Sequence, residues 1–230
     1  MIKNLKAQLK VNLPAWMTCP KMSFLYRMVL CVTWFYVKLF HRHRVVGRKN
    51  IPDGACLIAS NHVSFLDPPL VAISVSSEIH FLARDTLFKP RFFGGFIRRL
   101  NCHPLRREGS DITAIKTIMQ LLANGEKVLV FPQGTRSASY EIGDLKGGIY
   151  FIASKAKVKV VPTFVAGPLE IWPRNAKRPK LFGKTACLFG EPVEVNTSLD
   201  PDKAQAEFLK TLKDRMNGLG AEAQKLLRPR

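Results

Sequence analysis

Ala55-Cys56-Leu57-Ile58-Ala59-Ser60-Asn61-His62-Val63-Ser64-Phe65-Leu66-Asp67-Pro68-Pro69 is the stretch whose reading decides the fold. Its first six residues form a short apolar run that reads as a strand. Pro68 then disfavours the αR conformation at Asp67 while suiting the first turn of a helix, which predicts a loop at 61–66 and a helix capped by Asp67. The same alternation continues outward. Ile79 to Ala83, Lys127 to Phe131 and Lys159 to Val165 read as strands, with helical stretches near 68–76, 87–99, 111–123 and 145–155. A chain ordered in this way specifies an α/β fold, a largely parallel sheet covered by helices, with ligands at the carboxyl ends of its strands. Trp172 to Lys184 reads as a loop containing Pro, Lys and Arg, Thr185 to Phe189 as a strand, and Asp202 to Asn217 as a closing helix.

His62 falls just past the end of the first strand, with a carboxylate five positions later. On a continuous helix, at about 100° per residue, positions 62 and 67 would lie roughly 140° apart and could not meet, so the segment must curl. A curled loop brings Asp67 back to the imidazole, where it accepts a proton from one ring nitrogen and leaves the other as a base. The same spacing recurs in His80-Phe81-Leu82-Ala83-Arg84-Asp85, but this run alternates like a strand and has no proline to bend it. His80 is therefore expected to be structural.

A second segment, Phe131-Pro132-Gln133-Gly134-Thr135-Arg136-Ser137, follows another strand end. Gly134 permits φ > 0 and a tight turn, which aims Arg136 at an anionic group that a guanidinium binds bidentately. Arg106 and Arg107 precede Ser110, an expected N-cap for the helix with Ile112, Ile115, Ile118, Met119 and Leu122 on its apolar side, so helix terminus and arginines make a further anion site. Ser64 is assigned capping or loop-orienting work, not a chemical step. No Gly-x-Ser-x-Gly elbow is present and no cysteine sits in a nucleophile motif, so direct attack by a substrate hydroxyl is preferred to a covalent enzyme intermediate.

The two segments, in this order and separation, resemble the glycerolipid acyltransferases, whose best-known members are the 1-acylglycerol-3-phosphate acyltransferases. Leu87-Phe88-Lys89-Pro90 through Gly94-Gly95 to Pro104-Leu105-Arg106-Arg107 resembles that family's second block, and Leu145-Lys146-Gly147-Gly148, Val160-Val161-Pro162 and Phe189-Gly190-Glu191-Pro192 resemble later ones. The resemblance spans roughly residues 45–215. It implies that His62 and Asp67 are catalytic and that Gln133, Gly134, Thr135 and Arg136, with Arg107 and Arg106, hold the phosphate of lysophosphatidic acid. It further implies no cofactor, only an acyl thioester of coenzyme A or of acyl-carrier protein as co-substrate. The family usually carries glutamate where this chain has Gln133, a neutral amide that donates as well as accepts. That change leaves glycerol 3-phosphate or another lyso-lipid open as acceptor, and a non-catalytic anionic-lipid-binding protein stands as the alternative of a different class.

Lys and Arg total 36 against 17 Asp and Glu, a formal charge of +19, which calls for anionic partners. The basic residues are dispersed and no nucleic-acid-binding motif is present, so nucleic acid is not an expected partner and a phospholipid surface is. Two regions are expected, residues 1–40 as a membrane-anchoring helical segment and 41–230 as the α/β domain, joined by a hinge near 41–48. Ile2, Leu5 and Leu9 share a helical face opposite Lys3, Lys6 and Lys10. Residues 22–40 are apolar but carry Arg27 and Lys38, which favours a monotopic anchor on the cytoplasmic face over a transmembrane span, with Trp16, Tyr26, Trp34 and Tyr36 at the headgroup boundary. Five scattered cysteines read as reduced thiols, and no Cys/His set has metal-ligand spacing.

Overall fold

The computed structural model describes residues 15–105 and 111–228. The basic segment at 2–10, Arg106, Arg107 and Ser110 lie outside the described residues. Among the described residues seven strands, β1 (Arg44–Val46), β2 (Cys56–Ser60), β3 (His80–Arg84), β4 (Cys102–Leu105), β5 (Lys127–Val130), β6 (Lys159–Ala166) and β7 (Ala186–Phe189), form one sheet in the order β1-β7-β6-β2-β5-β3-β4. Every neighbouring pair is parallel except β6 with β7. The expected α/β sheet is therefore the fold, and β2 sits at its centre between β5 and β6.

The helices are α1 (Phe24–Phe40), α2 (Asp67–Ser74), α3 (Arg91–Arg98), α4 (Asp111–Ala123), α5 (Gly148–Ala156), α6 (Pro168–Ile171) and α7 (Pro201–Leu227). Because successive strand residues face opposite sides, each central strand serves two cores. Leu57, Ala59, Val128, Val160 and Leu188 join Ile118 and Leu122 of α4, Ile149 and Ile152 of α5, and Phe208, Leu212 and Met216 of α7. Cys56, Ile58, Leu129, Val161 and Cys187 point the other way, into Tyr26, Leu30 and Val37 of α1 and Leu70, Val71 and Ile73 of α2. All five residues of β2 are buried, as a strand covered on both faces requires. Each such Leu or Ile removed from water contributes about 1.5–3 kcal/mol.

Several local expectations are corrected. The stretch at 41–48 is not a free hinge, because it contains edge strand β1, whose Arg44 N–H also donates to Thr185 O at 3.0 Å. The expected helix at 87–99 is split into a 3-10 turn, Asp85–Phe88, and α3, because Pro90 cannot continue a helical hydrogen-bond ladder. The closing helix runs ten residues past its expected end, to Leu227. Trp16 and Tyr26 are not at an outer surface. Both are buried, the indole N–H donating to Ile73 O at 3.0 Å and the phenol lying 3.5 Å from Ile79 O. Aromatic side chains with one polar atom suit a protein interior as well as a headgroup layer once that atom finds a partner. Among the described residues no helix is long and apolar enough to cross a membrane.

Candidate active site

The site is built where β2 and β5 end. The Asn61 side chain first locks the end of β2 to β6, its Nδ2 donating to Val165 O at 3.0 Å and its Oδ1 accepting from Val165 N at 2.7 Å. The chain then turns, and Asp67 folds back into the loop as the curled reading requires. Its Oδ2 accepts from Val63 N at 2.7 Å and Ser64 N at 2.8 Å and lies 2.7 Å from His62 Nδ1. Asp67 is not the N-cap expected of it. It is the first residue of α2, Leu66 precedes it as cap without a side-chain hydrogen bond, and the carboxylate points away from the helix to close the loop. Three donors on one oxygen of a fully buried carboxylate fix the histidine tautomer: Nδ1 carries the hydrogen and Nε2 is left free to accept one. The His62 side chain keeps 20 % of its surface exposed, enough for a substrate hydroxyl to reach it. Ser64 Oγ donates to Trp172 O at 2.7 Å, the loop-orienting work expected of it.

The second segment docks onto the first. Ser137 N donates to His62 O at 2.8 Å, and the His62 ring stacks on Phe131. Gly134 takes φ 76°, and Gly134 N closes the turn on Phe131 O at 2.9 Å. A Cβ at Gly134 would lie 2.7 Å from Lys146 Cε, so the absent side chain is what lets Lys146 cover the turn. Gln133 Nε2 donates to Glu141 O at 3.4 Å, and Thr135 is exposed at the tip. Arg136 lies over Phe65, its guanidinium carbon 3.8 Å from the ring centroid, and its buried Nη1 has no hydrogen-bond partner among the described residues. Burial, and then the charges of Arg174 and Arg84, pull its pKa below the usual guanidinium range, while Asp67 opposes the shift. Arg136 thus feels two further arginines as well as Asp67. Such a cluster is stabilised by an anion with several acceptor oxygens, such as a phosphate.

Arg84 and Arg174 escaped the sequence reading. Arg84 ends β3, and a strand's carboxyl end was the one available signal. Arg174 lies in the 172–184 loop, held by its donation to Arg136 O at 3.4 Å. His80 is kept out of the site by geometry. It opens β3 level with Val128 rather than with the strand end, and an extended strand carries Asp85 about 16 Å away. His80 Nδ1 instead meets His103 Nε2 at 2.9 Å, with Glu126 3.5 Å from its Nε2. Among the described residues no cluster of three or more His, Cys, Asp or Glu could hold a metal ion. All five cysteines are free, and burial pushes the Cys56 and Cys102 thiols up to about 11 and Cys187 up to about 12, which makes them poor nucleophiles.

A histidine oriented by a buried carboxylate, with arginines beside it, is the arrangement expected of a transferase that acts on a substrate hydroxyl. Residues 42–166 match the family described as Acyltransferase, and the chain belongs to that family. It is 32% identical over 152 residues to a 1-acyl-sn-glycerol-3-phosphate acyltransferase of Bacillus subtilis, covering 65% of this chain and 73% of the relative. It is 27% identical over 196 residues to the Streptococcus pneumoniae protein of the same name, covering 84% and 69% of the two chains. A chloroplastic relative from Brassica napus is 30% identical over 158 residues, but the match spans only 46% of that longer protein. The crystal structure of the Thermotoga maritima LPA acyltransferase PlsC superposes with a TM-score of 0.68 at 25% identity, over 85% of this chain and 81% of that one.

Proposed function

We propose that this chain moves a fatty acyl group from a thioester to the free hydroxyl of lysophosphatidic acid, giving phosphatidic acid. One observation carries the reading: the Ser137–His62 main-chain hydrogen bond of 2.8 Å welds the arginine-bearing turn to the loop of the candidate base. A phosphate held by Arg136, with Arg84 and Arg174, places the rest of a lyso-lipid beside His62. His62 Nε2 takes the hydroxyl proton as the oxygen attacks the thioester carbonyl, the buried Asp67 offsets the imidazolium charge, and the proton then leaves on the departing thiolate. Coenzyme A and acyl-carrier protein both fit a basic surface as donors. No cofactor is required for this chemistry.

The reading includes a monotopic seat on a phospholipid surface, with the site at its cytoplasmic face. Phe24, Met28, Val32, Phe35 and Leu39 of α1 follow helical spacing and all face outward, Phe24 being 82% and Val32 67% exposed. A helix of 17 residues, about 25 Å long, with one apolar face on the protein and another free suits an interface better than a crossing.

The test is transfer of labelled acyl from acyl-CoA, and separately from acyl-carrier protein, to lysophosphatidic acid in vesicles. Wild type should make phosphatidic acid with at least one donor, His62→Ala should lose about 10² to 10⁴ of the rate, and His80→Ala should keep it. Wild-type transfer to glycerol 3-phosphate or another lyso-lipid but not to lysophosphatidic acid would reassign the acceptor. Vesicle binding without transfer to any acceptor would replace the enzyme with a lipid-binding protein.

A further inference from the structure

Arg42, Arg44, Lys184, Lys225 and Arg228, none of them used by the site described above, line a cavity of about 350 Å³ together with Leu226 and Leu227. All five cations are exposed, and among the described residues no carboxylate lines the cavity and none of the five makes an ion pair. Main-chain bonds set the walls: Gly183 N donates to Phe40 O at 3.1 Å and Thr185 N to His41 O at 2.9 Å, which lays Arg42 beside Lys184. Arg42 also holds φ 42°, a left-handed conformation rare for a residue with a Cβ. Two of the cations have a structural duty, since Arg44 Nη1 donates to Leu226 O at 3.1 Å and Lys184 Nζ to Leu227 O at 3.4 Å, capping α7. The side chains of Arg42, Lys225 and Arg228 cap no carbonyl among the described residues, although the Arg228 N–H itself donates to Gln224 O at 3.2 Å.

The register places this cavity on the active-site rim. Asn61 bonds the Val165 main chain, the next residue Ala166 pairs with Ala186, and Ala186 pairs with Arg44. Arg44 is therefore level with the start of the His62 loop, three strand spacings or roughly 14 Å across the sheet. The apolar surface beside it is the end of α1. Phe40 packs on Phe182 with ring centroids 5.6 Å apart, while Leu39, Leu181 and Phe182 are exposed at 59%, 52% and 69%. Cations grouped beside exposed apolar side chains match the two layers of an anionic bilayer, phosphate above acyl chain.

We propose that this cavity is a second, non-catalytic phosphate site, which receives the phosphate of an anionic phospholipid and holds the active-site rim against the bilayer. The lipid assignment rests on the membrane reading of α1, whereas the phosphate chemistry does not. Binding of wild type, Lys225→Gln/Arg228→Gln and a charge-matched control, Lys116→Gln/Lys203→Gln, is measured on phosphatidylcholine vesicles with and without phosphatidylglycerol. Inorganic pyrophosphate is titrated in parallel, with thermal shift as readout. Loss of about fivefold per removed charge on the phosphatidylglycerol vesicles, in the cavity variant alone, is expected, with phosphatidylcholine binding unchanged. Equal loss in the control would overturn the site in favour of bulk charge. Pyrophosphate stabilisation that the cavity variant abolishes, without any change in vesicle binding, would keep the phosphate site and overturn its lipid occupant. Failure of wild type to bind any vesicle would overturn the membrane reading, and the pyrophosphate arm would still decide the cavity.

Discussion

The His62 ring lies on Phe131 with centroids 4.0 Å apart and planes 15° apart, so the residue that follows β5 is the platform of the candidate base beyond the end of β2. One rigid ring thereby fixes both the imidazole plane and the origin of the turn that carries Arg136. Phe131→Leu keeps the apolar volume but removes the flat face. The expected result is a kcat about tenfold lower with the KM for acceptor nearly unchanged, because orientation and not binding is lost. A rise in KM with kcat intact would show that the ring serves the turn alone.

Asp67 has two duties that substitution can separate. In Asp67→Asn the amide oxygen can take the place of Oδ2 and still accept from Val63 N, Ser64 N and His62, so the loop should persist while the negative charge is gone. We expect a folded protein with kcat reduced about 10² or more, since the imidazolium loses its counter-charge. Asp67→Ala should in addition strand two buried N–H groups at about 1–3 kcal/mol each, seen as a fall in melting temperature. Equal stability of both variants would show that the loop does not depend on the carboxylate.

The arginine cluster predicts a defect confined to phosphorylated acceptors. Arg136→Lys keeps the charge but loses the fork and the guanidinium contact over the Phe65 ring, and the KM for lysophosphatidic acid should rise about tenfold. Arg84→Gln and Arg174→Gln, on exposed residues, should each cost a few-fold and less at high salt. Monoacylglycerol, which lacks the phosphate, is the control acceptor. If Arg136→Lys slows its acylation equally, the arginine shapes the loop and does not grip phosphate.

What the sequence made legible follows from which forces are local. The runs around Leu57, Leu129 and Val161 announce their strands because a doubly covered sheet needs apolar residues at every position. The proline pair after Asp67 announces the bend, because it restricts backbone angles directly. β1 was hidden, since three residues with a charged, exposed Arg44 at a sheet edge carry almost no apolar signal. The covering of α1 was hidden too, because an apolar stripe does not say whether lipid or Leu70 and Ile73 will meet it; here Tyr26, Leu30 and Val37 meet protein and the Phe24–Leu39 row does not. Arg84 and Arg174 stayed invisible because their approach to Arg136 is created by strand pairing and the docking of a distant loop, which no spacing encodes.

The last prediction concerns acid stability and rests on His43. Its Nδ1 meets Thr185 Oγ1 at 2.8 Å and its Nε2 meets Ser74 Oγ at 2.9 Å. Burial, helped by the charges of Arg48, His41 and Lys38, lowers its pKa from 6.5 to about 3. Between those values the unfolded chain binds a proton that the folded chain refuses, so stability is full above about pH 6.5 and falls as pH drops towards 3, by at most about 1.4 kcal/mol per pH unit. His43→Gln retains hydrogen-bonding capacity but does not titrate. It should melt lower than wild type at pH 7.5 and lose less stability between pH 6.5 and 4.5. His41, His80 and His103 are also held below their ordinary value, chiefly by burial, so the slope should shrink without vanishing. Melting curves that shift in parallel for the two proteins across this range would remove His43 as the source of the acid lability.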